Sequence, residues 1–172
     1  MEGQLQSILF KGKSEALYLL KVMGGKEMRY ILRKAQVDDL EGLGKVMLVI
    51  SDQPADPEKV AQLIHEIGEN PQKYLLVAED SETHEIVGSL LGVVFEDICG
   101  DCRPILLVEN VAVLEKYQGQ GIGRLMFEKI EAWGKEMNCH YEILVSGMGR
   151  TGAHKFYSAL GFEEVKGFKK YL

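Results

Sequence analysis

The chain has 172 residues, 46% of them apolar and 27% charged, which suits one domain with a substantial core, since domains cluster at about 100–150 residues. Lysine and arginine total 20 against 26 aspartates and glutamates, a net charge of −6, which disfavours nucleic acid and anionic membrane as partners and favours a cationic amine. Three cysteines, an odd number with no secretory leader expected, point to a reducing, cytoplasmic setting, and every apolar stretch is broken by charge well short of the about 20 residues a membrane span requires.

Residues 1–27 carry Leu5, Ile8, Leu9, Ala16, Leu17, Leu20 and Val22 without one clean helical stripe. They read as an N-terminal extension of unassigned role: an added helix, a segment upstream of a start at Met28, or an expression remnant. Residues 30–33 form the first expected strand, and 37–50 a helix with Asp38 and Asp39 near its positive end. The stretch 53–57 breaks the chain; Pro57 can then open a second helix to Glu69, with Val60, Leu63, Ile64 and Ile67 on one face and Asn70-Pro71 as its stop. Residues 74–78 and 86–95 read as antiparallel strands joined by the polar turn 79–85, the second weakened by Gly88 and Gly92. A loop at 96–104 leads to an apolar strand at 105–113, a glycine-rich loop, and an amphipathic helix at 127–136. A short strand at 141–146, a helix at 151–160 and a terminal strand pair over 162–172 close the chain.

The most informative stretch is 105–126, ILLVENVAVLEKYQGQGIGRLM. Gln118, Gly119, Gly121 and Gly123 leave its loop nearly bare of side chains, so successive N–H groups can point into one concavity at the positive end of a helix. Three phosphate loops have this general form. A Walker A loop ends in Gly-Lys-Ser/Thr, whereas here Gly123 is followed by Arg124 and Leu125, so the lysine and the magnesium-binding hydroxyl are missing. A dinucleotide fingerprint requires a third small residue where this chain has Met126. What remains, Gln-x-x-Gly-x-Gly from Gln118 to Gly123, resembles the coenzyme A loop of the GNAT superfamily of N-acetyltransferases. Residues 154–162, HKFYSALGF, resemble that superfamily's second signature, a helix with Phe-Tyr followed by Leu-Gly-Phe, in the expected order and spacing.

The resemblance covers about residues 29–172 and implies an α/β (α+β) fold: a single GNAT-like domain over 28–172, with a mixed, mostly antiparallel sheet, a splayed central strand and helices on both faces. It also implies acetyl-CoA as co-substrate, held by backbone groups of Val111, Ala112 and Val113 and by Gln118, Gly119, Gln120, Gly121, Ile122, Gly123 and Arg124, with Ser146 and Arg150 near pantetheine, cofactor or substrate. Tyr157 matches the tyrosine that many members place near the coenzyme A sulfur, the general acid for the departing thiolate; its structural alternative is a ring packed on the core with the hydroxyl on a backbone carbonyl.

Glu109 lies in an apolar strand, where a carboxylate is costly unless paired, hydrated or functional. Strand alternation puts it on one face with Leu107 and Val111. Histone-acetylating members place their glutamate base at the position of Leu107, whereas glucosamine-6-phosphate N-acetyltransferases carry Glu-Asp at the positions of Glu109 and Asn110. Glu109 is accordingly a candidate base acting through water, a substrate-orienting group, or a structural carboxylate.

Cys99 and Cys102, in Cys-Gly-Asp-Cys, suit a redox pair or half a zinc site by spacing, but the context argues against both, since no second pair follows at finger spacing although Cys139 and His140 adjoin; neither a metal nor a redox role is expected. His65, His84 and His154 read as solvated, and Asp97 and Asp101 as a hairpin loop beside the acceptor cleft. No residue resembles an acyl-carrying nucleophile, so direct transfer in a ternary complex to a primary amine of a small molecule is the expectation. Amino acids, polyamines, amino sugars, aminoglycosides and protein N-termini remain open as acceptors, as does a silent coenzyme A-binding module that uses residues 1–27 for interaction. Many relatives dimerise through terminal strands, so a homodimer belongs to what the resemblance implies.

Overall fold

The computed structural model describes residues 29–172, and the expectations for residues 1–27 lie outside the described residues. Five strands form one sheet in sequence order: β1 (Tyr30–Lys34), β2 (Lys73–Asp80), β3 (Ile86–Phe95), β4 (Ile105–Val113) and β5 (Glu142–Leu144). Neighbours are antiparallel except β4 and β5, which run parallel. Helices α1 (Leu40–Met47) and α2 (Pro57–Glu69) join β1 to β2, α3 (Ile122–Glu136) joins β4 to β5, and α4 (Thr151–Leu160) follows β5.

The sheet buries both faces. On one, Leu76, Leu90, Leu106 and Val108 pack with Met126, Phe127 and Ile130 of α3; on the other, Val77, Ile86 and Ala112 pack with Leu43, Val46 and Ile64 of α1 and α2. The glycines that weaken β3 as an isolated strand let α3 approach it. A Cβ at Gly92 would stand 2.7 Å from Ile130 Cδ1, and one at Gly88 would stand 3.2 Å from Met126 Sδ, distances at which the facing side chains of the helix must give way.

Local chemistry sets the ends of these elements. Asp56 caps α2, its Oδ1 accepting the N–H groups of Glu58 at 3.0 Å and Lys59 at 3.4 Å, with Pro57 at the first helical position. Arg33 is held bidentately by Asp39, at 2.7 Å to each oxygen, and by Glu79 at 2.8 Å; this largely buried trio ties the end of β1 to the entry of α1.

The sequence expectations need three corrections. The helix expected over 37–50 begins as a single 3-10 turn, Val37–Asp39, and its regular part ends at Met47. The strand expected at 141–146 narrows to Glu142–Leu144. The terminal strand pair is absent, and residues 162–172 have no regular structure. Their apolar residues Phe162, Val165, Phe168 and Tyr171 recur every third position, so no strand face is continuously apolar. Among the described residues no helix is long and apolar enough to cross a membrane.

Candidate active site

The site begins with an irregularity in β4. Asn110 has φ of +55°, and the pairing with β3 slips there: Leu91 faces Glu109, whereas Ser89 faces Ala112. One extra residue on β4 is a β-bulge, and asparagine is among the few non-glycine residues that accept a left-handed backbone. The bulge inverts the alternation beyond it. Val108 and Val111 both pack on the α3 side and Ala112 on the α1 side, so the expectation that Glu109 shares a face with Val111 is wrong. Glu109, paired with Leu91, lies on the face opposite Val108.

β5 accompanies β4 only through Leu106↔Glu142, Leu107↔Ile143 and Val108↔Leu144. Beyond Val108, β4 continues to Val113 while β5 has ended. The backbone of 109–113 on that edge therefore has no strand partner among the described residues, the splay expected of the central strand. Ser146 lies just past the end of β5, and its Oγ is fully buried without a partner among the described residues. An orphaned buried hydroxyl beside an open strand edge is the feature a polar ligand would satisfy.

The glycine loop follows directly. A 3-10 turn, Glu115–Tyr117, leads to Gln118, whose N–H is used on the Glu115 carbonyl at 3.1 Å. Gly119 and Gly121 adopt φ of +75° and +84°, and nothing lies within 4 Å of a Cβ built at either, so glycine is required there for backbone conformation and leaves the concavity open. Gly121 caps α3, and the first N–H groups of the helix, on Ile122, Gly123 and Arg124, face the helix entrance without intrahelical acceptors.

The side chains around this loop hold its shape. Gln118 Nε2 donates to the Val113 carbonyl at 2.9 Å, Gln120 Nε2 donates to the Lys116 carbonyl at 3.1 Å, and Gln120 Oε1 accepts the Tyr30 hydroxyl at 2.6 Å. The Ile122 side chain is core, 1% exposed, so only its backbone is available to a ligand. Arg124 donates to the Ala159 carbonyl at 3.3 Å near the end of α4. Gly123 has a packing reason: a Cβ there would stand 2.9 Å from Phe156 Cζ.

Phe156 and Tyr157 bring α4 onto α3. The Tyr157 ring stacks edge-on against Phe127 and Phe162, with centroids 5.9 and 5.8 Å away. Its hydroxyl makes no hydrogen bond to a described residue, so the structural alternative holds for the ring and fails for the phenol. Burial pushes the Tyr157 hydroxyl above the ordinary tyrosine pKa, with Arg150 pulling it down and Glu109 pushing it up. Those opposing influences place Tyr157, Glu109 and Arg150 within one electrostatic neighbourhood. The Glu109 carboxylate has no hydrogen bond or ion pair among the described residues.

Two features of the site were missed in the sequence: the left-handed bulge at Asn110, signalled only by the residue type, and the bracing roles of the Gln118 and Gln120 side chains, for which no local pattern exists. Asp97 and Asp101 fall elsewhere. Their loop is pinned to the far end of α3, where Arg103 Nη2 donates to the Cys139 carbonyl at 2.7 Å, and is not part of the glycine-loop site. Among the described residues no group of three His, Cys, Asp or Glu is placed to hold a metal ion.

A mixed sheet whose central strand parts from its parallel neighbour, followed by a glycine-capped helix, defines the class of α/β fold to which the chain belongs. The Acetyltransferase (GNAT) family profile matches residues 38–162, and the chain belongs to that family. It is similar to the aminoglycoside N(6')-acetyltransferase type 1 of Stenotrophomonas maltophilia, 29% identical over 66 residues, or 38% of this chain and 43% of that enzyme. It is also similar to a probable glucosamine 6-phosphate N-acetyltransferase of Drosophila melanogaster, 26% identical over 94 residues, 55% of this chain and 42% of that protein. The matches thus span under half the length of these curated relatives. Among solved structures, an aminoglycoside N-acetyltransferase, AAC(6')-Iy in complex with CoA, superposes with a TM-score of 0.71 at 18% identity, covering 87% of this chain and 98% of that one.

Proposed function

We propose that the chain is an acetyl-CoA-dependent N-acetyltransferase that moves an acetyl group to a primary amine of a small molecule by direct attack in a ternary complex. The observation that carries this reading is the parting of β4 from β5 after Val108, which leaves an open backbone edge between the glycine loop and Tyr157. The fit to acetyl-CoA rests on that edge, on the helix N-terminus behind Gly121 and on the orphaned Ser146 hydroxyl. Backbone N–H groups of residues 119–124 would hold the pyrophosphate, and the edge of Val111, Ala112 and Val113 together with Ser146 would hold the pantetheine arm. The curated relatives named above act, by their names, on amino sugars and aminoglycosides, which supports a small-molecule amine.

When bound, acetyl-CoA supplies an acyl carbon activated as a thioester. The remaining work belongs to the chain. Glu109, whose carboxylate is unpaired among the described residues, takes through water the proton that the amine sheds as its nitrogen bonds to the acyl carbon. Tyr157 gives its proton to the departing sulfur as the carbon–sulfur bond breaks, and its raised pKa keeps that proton in place at neutral pH until then. Arg150, close enough to influence Tyr157, favours the phenolate left after transfer. The substrate positions itself between these groups, so no protein nucleophile is required.

The test is coenzyme A thiol release from saturating acetyl-CoA across amino sugars, amino-sugar phosphates, aminoglycosides, polyamines, amino acids and peptides. Release with one small-molecule class is the expected result. Tight acetyl-CoA binding with no release from any amine would make the chain a binding module, and release only with peptides would move the acceptor to protein N-termini.

A further inference from the structure

The connection between β3 and β4 carries chemistry that acyl transfer leaves unused. Cys99, Gly100, Asp101 and Cys102 form a tight turn in which the Cys102 N–H donates to the Cys99 carbonyl at 2.9 Å. Gly100 holds φ of +57° at the turn's second position, as a type II′ turn requires. A turn closed in this way keeps its first and fourth Cα atoms within about 7 Å, and a disulfide spans about 4.4–6.8 Å between Cα atoms. Both cysteines are free and exposed, whereas Cys139 is only partly accessible.

The turn is anchored on both sides. Asp97 Oδ1 accepts the Cys99 N–H at 3.0 Å, and Arg103, next to Cys102, donates to the carbonyls of Asn138 at 3.2 Å and Cys139 at 2.7 Å. The turn thus holds the backbones of the two cysteines, Cys102 with φ of +55°, close together at a fixed point of the loop. No third His, Cys, Asp or Glu among the described residues completes a metal set with them. The Cys-Gly-Asp-Cys spacing suits a redox pair, and the hydrogen-bonded turn and the shared exposure favour one where the sequence context alone did not.

We propose that Cys99 and Cys102 form a reversible dithiol–disulfide pair that exchanges with low-molecular-weight disulfides such as oxidised glutathione. One cysteine thiolate attacks a sulfur of the small disulfide, whose S–S bond breaks, and the first glutathione leaves as thiolate. The neighbouring cysteine loses its proton and attacks the protein sulfur of the mixed disulfide. The Cys99–Cys102 bond forms and the second glutathione departs. Two electrons pass from the protein to the small disulfide, which ends as two thiols carrying the two protons. A ring closed over four exposed residues is readily reduced, so the pair alternates with the redox poise of its surroundings.

The experiment exposes the full chain to glutathione mixtures of rising oxidised fraction, quenches with acid, alkylates the remaining thiols, and reads intact and peptide masses. Wild type is expected to lose two of its three alkylation sites together, with the bridged peptide lighter by two hydrogen masses, and to regain both under excess reduced glutathione. Cys99→Ser and Cys102→Ser are each expected to stop at a mixed disulfide with one glutathione, while Cys139→Ser behaves as wild type. Stable glutathione adducts on both Cys99 and Cys102 of wild type, bridging to Cys139, or no loss of alkylation sites would each overturn the proposal. Near-unchanged circular dichroism of the serine variants confirms that the readout concerns the thiols.

Discussion

Replacing Glu142 by glutamine should stabilise the protein above neutral pH and do little in acid. Glu142 opens β5, where its Oε2 is buried without a partner among the described residues, and burial together with Glu131, against a smaller opposing pull from Lys135, pushes its carboxyl from 4.5 up to about 7. The sign follows from proton counts. Between those two values the folded chain binds the proton more tightly than the unfolded one, so stability is fully present below about pH 4.5 and falls as the pH rises through about 7. At about 1.4 kcal/mol per pKa unit the interval corresponds to about 3 kcal/mol. Water reaches part of the carboxyl, which lowers the expected effect to about 1–2 kcal/mol. For a chain of this size that is about 3–6 °C in Tm. Urea unfolding at pH 5, 6, 7 and 8 should give curves for wild type and Glu142→Gln that meet in acid and separate above neutrality at constant m-value. Parallel pH dependences would refute the burial argument.

Tyr157→Phe keeps the aromatic packing and removes the proton, so kcat should fall about 100-fold or more while the Kd for acetyl-CoA stays near wild type; unchanged turnover removes the acid role. Glu109→Gln should abolish the basic rise of the pH–rate profile with little change in fold, and a profile that keeps its shape would leave Glu109 as an orienting group at most. Asn110→Val places a β-branched residue at φ of +55° and should cost about 1–2 kcal/mol by urea unfolding and weaken acetyl-CoA binding, whereas Asn110→Gly should match wild type in both. Equal behaviour of the two Asn110 variants would mean that the bulge does not shape the site.

The elements whose signals are local were legible in the sequence. α2 matches its expected bounds because Asp56, Pro57, Asn70 and Pro71 punctuate it, and β3, β4 and α4 match theirs. The glycine loop was legible for a related reason, since positive φ at Gly119 and Gly121 demands a particular residue. Features decided by partners distant in sequence were not. Gly88 and Gly92 look like flaws in a strand until α3 is seen to lie against them. Period-2 reasoning put Glu109 and Val111 on one face, and a single left-handed asparagine undid it. Cys99 and Cys102 were visible as a pair, but only the structure shows the hydrogen-bonded turn that brings their backbones together.

Contact between α3 and α4 has a mechanical consequence. The tip of Phe156 occupies the space over Gly123 where any side chain would stand, Arg124 reaches across to the Ala159 carbonyl, and Tyr157 rests on Phe127. The turn proposed to receive an anion and the phenol proposed to deliver a proton are thus two ends of one bracket. Side-chain volume at positions 123, 127 and 156 governs how closely the two helices pack. A change at any of these positions alters the reach from anchor to proton, so the span this site accommodates is measured by a glycine and two phenylalanines that touch no reacting atom.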